Sequence, residues 1–229
     1  MKKIMLIAAV FLSVAALGLS MPLKTYAVTP SQAQILVYQA KLTLDGFRND
    51  PNVSWFRRAM RDSKGVLVVP DLVKVGFMLG GSGGTGVFFM KDPASGLCKG
   101  PAFYNMGSFT VGLQAGFEKA AVVIFAMDDA AVNAMLSNQF KLGADASAAL
   151  GMMGKGAAAQ ASLPASSFIV FSRNKGVYGG LTLEGTIVTV NKDYNWTYYG
   201  KNLSPAEILI AGETGNAGGL CPAFERAGL

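Results

Sequence analysis

Histidine is absent from the 229 residues, cysteine occurs twice, and charged residues make up only 15% of the chain. Each shortage excludes something. Without imidazole, the usual general base for a serine or cysteine nucleophile is missing, and so is the commonest metal ligand. The two cysteines, Cys98 and Cys221, form no CxxC pair. Neither a metal site nor a cofactor is expected from this inventory. A sparse charge set without a strong basic patch also argues against a nucleic-acid partner.

What the chain has instead is apolar residues, 51% of it, and 28 glycines. Part of the apolar excess lies at the start. Lys2 and Lys3 precede an uncharged run from Ile4 to Met21, and Pro22 to Ala27 form a shorter, more polar stretch with Thr25-Tyr26-Ala27 as a small-residue cleavage site. That order is the order of a secretory signal peptide. An apolar run of this length is at the lower edge of what spans a bilayer, and Pro22 interrupts it. Residues 1–27 are therefore expected to be a signal peptide and the mature protein to be periplasmic or associated with the cell envelope. Removing Lys2, Lys3 and Lys24 leaves a net charge of about +3, which permits attraction to anionic surfaces. Export also places the cysteines where a disulfide can persist. Spacing alone does not choose between a Cys98–Cys221 bridge and two buried thiols.

Beyond Ala27 the pattern begins helical. Thr29-Pro30-Ser31 is a helix start, and Leu36, Ala40, Leu44 and Phe47 recur at helical spacing. Asp50-Pro51 starts a second helix, expected to run to about Ser63. From Val66 the character changes to short β-rich runs: 66–69 (stopped by Pro70), 73–79, 86–90, 109–116, 121–127, 168–172, 176–183 and 185–191. Asn174-Lys175-Gly176 and Asn191-Lys192-Asp193 read as turns. One helix interrupts the strands, capped by Asp128 or Asp129 and running from Ala130 to Phe140. A last helix follows Ser204-Pro205, with Glu207 completing a capping box. Helices followed by many strands give an α+β fold, with N-terminal helices on a mainly antiparallel sheet. Gly112, Gly116, Gly179, Gly180 and Gly185 within the strand-like runs point to strong curvature, toward a closed or half-closed barrel. Residues 28–212 form one domain, and 213–229 a Gly-rich C-terminal tail.

The candidate chemistry is thin. Gly81 to Gly86 match GxGxxG, but strand material follows where a dinucleotide fold requires a helix, so the run reads as a glycine turn between two strands. Ser63-Lys64, or Ser95 with Lys99, are the available Ser–Lys combinations. Asp128 and Asp129 are neighbours better explained by capping. Glu118 and Glu184, if buried, need partners such as Lys119 or Arg173. No enzymatic centre is expected. One cluster suits a lipid headgroup layer: Arg48, Arg57, Arg58, Arg61 and Lys64, interleaved with Trp55, Phe56 and Met60 around the second helix. The same pattern also describes a helix that buries Trp55, Phe56 and Met60 and solvates its arginines.

The order of motifs resembles the SYLF-domain family. Lys64 to Pro70, the Gly80–Gly86 run and Pro101-Ala102-Phe103 are similar to its front half. Gly112-Leu113-Gln114-Ala115-Gly116 resembles its GxQxG-like strand, and Leu142 to Ser147 its LGADAS segment. Ser172 to Gly176 with Gly180-Leu181 and Leu183-Glu184-Gly185 resemble its SRxKGxxxGxxLEG stretch. Tyr198-Tyr199-Gly200 with Pro205, Glu207, Ile208 and Leu209 resembles its YYG…EIL ending. Together these cover about residues 33–212. The resemblance implies a lipid-binding module. Eukaryotic members bind phosphoinositides, partly through an amphipathic N-terminal helix, fungal members associate with actin, and bacterial members are typically exported. Here a signal peptide stands where the amphipathic segment would be. What carries over is an expected membrane partner of anionic phospholipid, phosphatidylglycerol or cardiolipin. The competing reading is an envelope protein that binds another protein through its sheet.

N-terminal sequencing of the protein recovered from the periplasmic fraction should return a chain beginning at Val28 or within a few residues of it. An intact chain that requires membrane extraction would overturn the signal-peptide reading.

Overall fold

A computed structural model describes residues 27–50, 54–77, 79–92, 95, 97–111, 116–150, 165–174, 177–178 and 185–212. Residues 1–26, Gly112 to Ala115, Gly179, Gly180, Glu184 and residues 213–229 lie outside the described residues. The elements are α1 (Pro30–Arg48), α2 (Ser54–Asp62), β1 (Gly65–Phe77), β2 (Leu79–Lys91), β3 (Cys98–Val111), β4 (Gly116–Ala126), α3 (Asp129–Leu136), β5 (Gln139–Lys141), β6 (Ala148–Leu150), β7 (Phe168–Asn174), β8 (Val177–Tyr178), β9 (Ile187–Val190), α4 (Lys192–Tyr199) and α5 (Pro205–Leu209). The strands form one sheet in the order β5-β9-β3-β2-β1-β4-β7-β6, with β8 on β7. Every pairing is antiparallel except β6–β7. The sheet curls into a half-barrel, and the fold is α+β.

The helix starts follow from their caps. At α1 the Thr29 side chain accepts from the Gln32 N–H while the Gln32 side chain accepts from the Thr29 N–H, and Pro30 occupies the first turn, where its missing N–H costs no bond. Asp128 accepts from the Ala131 N–H to start α3. Ser204 and Glu207 form a reciprocal box at α5. Two ends differ from expectation. Helix α3 stops at Leu136, where the Ser137 hydroxyl donates to the Ala134 carbonyl, and Phe140 belongs to β5. Asn191 is no turn residue but the N-cap of α4, accepting from the Tyr194 N–H. Residues 98–108, not expected as strand, form most of β3.

Two further expectations about strands need correction, and they share one cause. Strand β1 does not stop at Pro70. Its register against β4 runs Val69 to Val122 and then Leu72 to Ala120, so Pro70 and Asp71 together face Ala121. This is a β-bulge, the place where a proline without an N–H can sit inside a central strand. Nor is Gly81–Gly86 a turn. It lies within β2, paired with β1 on one side and β3 on the other. The bulged backbone presses on it. A Cβ on Gly84 would stand 2.6 Å from the Asp71 carbonyl oxygen, and one on Gly86 would stand 2.8 Å from the Val68 carbonyl oxygen and 2.7 Å from a Val69 methyl.

Side chains alternate across the sheet, giving a core on each face. One core gathers Leu67, Val69, Leu72, Phe88, Tyr104, Val122 and Ile124 with Met135 of α3 and Ile208 and Leu209 of α5. There the Tyr104 hydroxyl donates to the Met135 carbonyl. The other gathers Val66, Val68, Val87, Phe89, Phe103, Val123, Phe125, Ile169 and Phe171 under α1 and α2. Phe56 is its centre, with ring centroids 5.2 Å from Phe47, 5.0 Å from Phe125 and 5.1 Å from Phe171. Such aromatic contacts add to the area each ring buries. Helix α4 closes the same face where β9 ends. Asn195 accepts from the Phe103 N–H and the Asn191 N–H donates to the Phe103 carbonyl.

Cys98 is disulfide-bonded and no described cysteine is free, while Cys221, the other cysteine of the sequence, lies outside the described residues. Thiol labelling of unreduced protein should therefore modify nothing. Two labelled thiols would refute the bridge. A second measurement tests the bulge. Gly86→Ala should lower stability to urea by about 1–3 kcal/mol through overpacking, whereas Gly83→Ala, whose Cβ would meet nothing within 4 Å, should stay within about 0.5 kcal/mol of the parent. Equal stabilities would show that the bulge does not hold Gly86 in place.

Candidate functional site

The basic cluster of α2 divides. Trp55, expected among the lipid-facing residues, is only 5% exposed, and Phe56 and Met60 are fully buried, so the whole apolar face of the helix is used by the core. Trp55 is not available for insertion into a bilayer, which corrects that part of the expectation. Arg57 and Arg61 are exposed and Arg58 is half-buried. Arg57 donates to the Arg48 carbonyl at 3.3 Å. Arg48 is paired with Asp45 at 3.0 Å and Lys64 with Asp129 at 2.6 Å. Lys91 donates to the Met60 and Arg61 carbonyls at the end of α2, where a cation complements the helix dipole. Burial holds the Lys91 ammonium below the ordinary lysine range, partly opposed by Asp62.

The candidate nucleophile pairs are not assembled as pairs. The Ser63 hydroxyl donates to the Met60 carbonyl while Lys64 is on Asp129. Ser95 donates to Asp92 at 2.9 Å, and Lys99 bonds Asp92 at 3.2 Å and the Ile210 carbonyl at 3.0 Å. Glu118 takes Lys74 at 3.7 Å and the Asn174 amide as partners, not Lys119 or Arg173. Lys119 faces Asp71 at 3.7 Å, and Arg173 lies over the Phe47 ring, 4.7 Å from its centroid. A cleft of about 370 Å³ beside Met127, Asp128, Ser147 and Ser167 has its polar groups committed, since Asp128 caps α3 and Ser147 and Ser167 bond each other. Among the described residues no three metal-ligating side chains cluster, and no helix is long and apolar enough to cross a membrane.

A site that sequence reasoning missed lies at the far end of the sheet. On the α1–α2 face the buried cluster ends at the row Val123–Val68–Val87–Phe103. Past the bulge, two more rows continue on that face. The inner row is Lys119–Val73–Gly83–Gly107–Ile187–Lys141, and the outer is Phe117–Val75–Gly81–Phe109. Phe109 is 90% exposed, Phe117 63% and Val75 54%. Isolated exposed apolar residues are ordinary, but a contiguous row of them marks an interaction surface. Between them Gly81, Gly83 and Gly107 form the floor of an open, mainly apolar groove of about 590 Å³, bordered by Val73, Val75, Phe109, Ile187 and Thr189. At its inner end Asn105 accepts from Thr85 at 3.0 Å and from Asn191 at 2.8 Å. Lys119 and Lys141 flank the inner row, and no acidic residue occupies either row. The sequence signal lies in the alternation beyond the bulge, where Val73 and Val75 of β1, Phe109 of β3 and Phe117 of β4 share one face.

Comparison with known proteins bears on this arrangement. A family model described as "Ysc84: Las17-binding protein actin regulator" matches residues 107–225, just over half of the chain. The SH3 domain-containing YSC84-like protein 1 of Rattus norvegicus is 26% identical over 165 residues, covering 71% of this chain and 48% of that protein. Its Homo sapiens counterpart is 25% identical over the same coverage. The LAS seventeen-binding protein 3 of Saccharomyces cerevisiae is 27% identical over 159 residues, covering 67% of this chain and 34% of its own length. The chain thus spans about half or less of the curated relatives it matches.

Proposed function

Since the chain belongs to the Ysc84 family, to which its SYLF-type motif order points, we propose that it is a non-enzymatic lipid-binding protein of the cell envelope, exported to the periplasm and directed at anionic phospholipid. The observation that carries this reading is the uncovered row Phe117–Val75–Gly81–Phe109 with cations beside it. Aromatic side chains that meet water on a rigid sheet can enter the acyl boundary of a bilayer, and each Phe fully buried there contributes about 1.5–3 kcal/mol. Lys119 and Lys141 add on the order of 1 kcal/mol each against an anionic surface, a contribution that salt screens. The α2 arginines alone would supply only the screened part, because their helix has no apolar residue left to insert.

The alternative is a protein-interaction module, which draws on the printed names of the relatives: a LAS seventeen-binding protein and an actin regulator. The same apolar row could take a protein surface, and vesicle binding separates the two.

Co-sedimentation with phosphatidylcholine and phosphatidylglycerol vesicles should show binding to the anionic set. Changing Phe109 and Phe117 together to Ser should weaken that binding by about ten- to a hundredfold, with the fold intact because both side chains are exposed. Changing Arg57 and Arg61 to Gln should weaken it less. No binding to either vesicle would sink the lipid reading. A stronger loss in the arginine variant than in the phenylalanine variant would return the site to α2.

A further inference from the structure

We propose that the glycine-floored groove holds one acyl chain of an anionic amphiphile, so that the protein carries a single lipid out of the bilayer rather than only resting on its surface. The proposal rests on the lipid-binding reading and concerns the same end of the sheet.

The shape of the groove comes from missing side chains. On the face under discussion β2 and β3 present Gly81, Gly83 and Gly107, while the strands on either side present Val73 and Val75 from β1 and Ile187 and Thr189 from β9. Adjacent strands lie about 4.8 Å apart, so the two walls stand on backbones roughly 14 Å apart. Once their side chains are allowed for, the channel has room for one hydrocarbon chain and not for a packed protein element. Its volume of about 590 Å³ is within the range of small-ligand sites, about 300–1,000 Å³. Phe109 stands at the outer end, and the Thr85–Asn105–Asn191 hydrogen bonds close the inner end.

Charge selects the head of the ligand. The row that crosses the groove floor begins at Lys119 and ends at Lys141. Lys119 is half-exposed and only loosely engaged with Asp71, at 3.7 Å. A surface pair of that kind contributes little and leaves the ammonium able to meet a phosphate or carboxylate. An apolar channel between two cations fits an anionic single-chain or splayed two-chain lipid. A neutral apolar ligand would make no use of these cations, and a peptide strand laid along the groove floor would meet β2 and the Tyr104–Gly107 stretch of β3, which are paired on both sides.

Gly83 allows a direct test, because a Cβ there meets nothing within 4 Å, so a larger side chain fills the groove without straining the sheet. Purified, delipidated protein should be titrated with lysophosphatidylglycerol and with myristate below their micellar concentrations, with stoichiometry read by native mass spectrometry. One molecule per chain, saturably bound, is expected for each. Gly83→Leu should weaken that binding at least tenfold while co-sedimentation with phosphatidylglycerol vesicles persists. If Gly83→Leu loses its native circular dichroism, Phe109→Ala carries the decision: several-fold weaker binding supports the groove, and unchanged binding overturns it. Equal affinity in folded Gly83→Leu overturns it as well, as does vesicle binding without any monomeric amphiphile bound. A dimer that excludes the amphiphile would assign the groove to a second copy instead. Loss of vesicle binding in the parent protein would remove the lipid reading itself, a failure distinct from failure of the groove.

Discussion

The close approach of the β1 bulge to the glycine run of β2 is the constraint on which the rest of the molecule depends. Pro70 cannot donate to a neighbouring strand, yet it sits in a strand paired on both sides. The bulge lets the ladder pass it by setting Pro70 and Asp71 against Ala121 alone. That shifts backbone toward β2, and only residues without a Cβ accept the shift at positions 84 and 86. A bulge also adds twist and bend, here in the middle of β1, between β2 and β4. The sheet curls as a consequence, and its two ends acquire different surroundings.

On one side of the bulge both faces are covered. Helices α1 and α2 close one face with Leu44, Phe47, Trp55, Phe56 and Met60, and α3 and α5 close the other with Met135, Ile208 and Leu209. On the other side no described element covers the α1–α2 face, and its apolar residues are exposed: Val75, Phe109 and Phe117. The covered half supplies rigidity. The open half supplies contact area and a channel, and no described side-chain set in either half is arranged as a nucleophile with its base. The binding role proposed above rests on this division.

Much of the architecture was legible in local chemistry. Thr29 with Gln32, Asp128 with Ala131, and Ser204 with Glu207 mark helix starts through bonds made within three residues. The α+β class, the two N-terminal helices and the mainly antiparallel sheet follow from hydrophobic periodicity. The misreadings came where a local signal was overridden at long range. Pro70 is a strand breaker by propensity, but pairing on both sides carried the strand through it. Gly81–Gly86 reads as a turn because flexible glycines usually punctuate chains, yet here they satisfy a steric demand from a strand that precedes them. Asn191-Lys192-Asp193 carries the composition of a turn, and only the Phe103 backbone groups left unpaired beyond β9 show why a helix begins there.

The sequence by itself determined the family through its motif order, three helix starts through side chains that bond their own backbone, and the absence of imidazole chemistry through composition. The tertiary structure alone decided which apolar residues are core and which are surface. Trp55 and Phe109 are both aromatic residues near bases or polar neighbours, and nothing local separates them. Trp55 is buried because α2 lies on the covered half of the sheet, and Phe109 is exposed because the register of β3 carries it past the last helix. Burial is set by contacts between residues distant in the chain, here across the β1–β2–β3–β4 register, and that register was settled by where one bulge and two glycines, Gly84 and Gly86, allow backbones to meet.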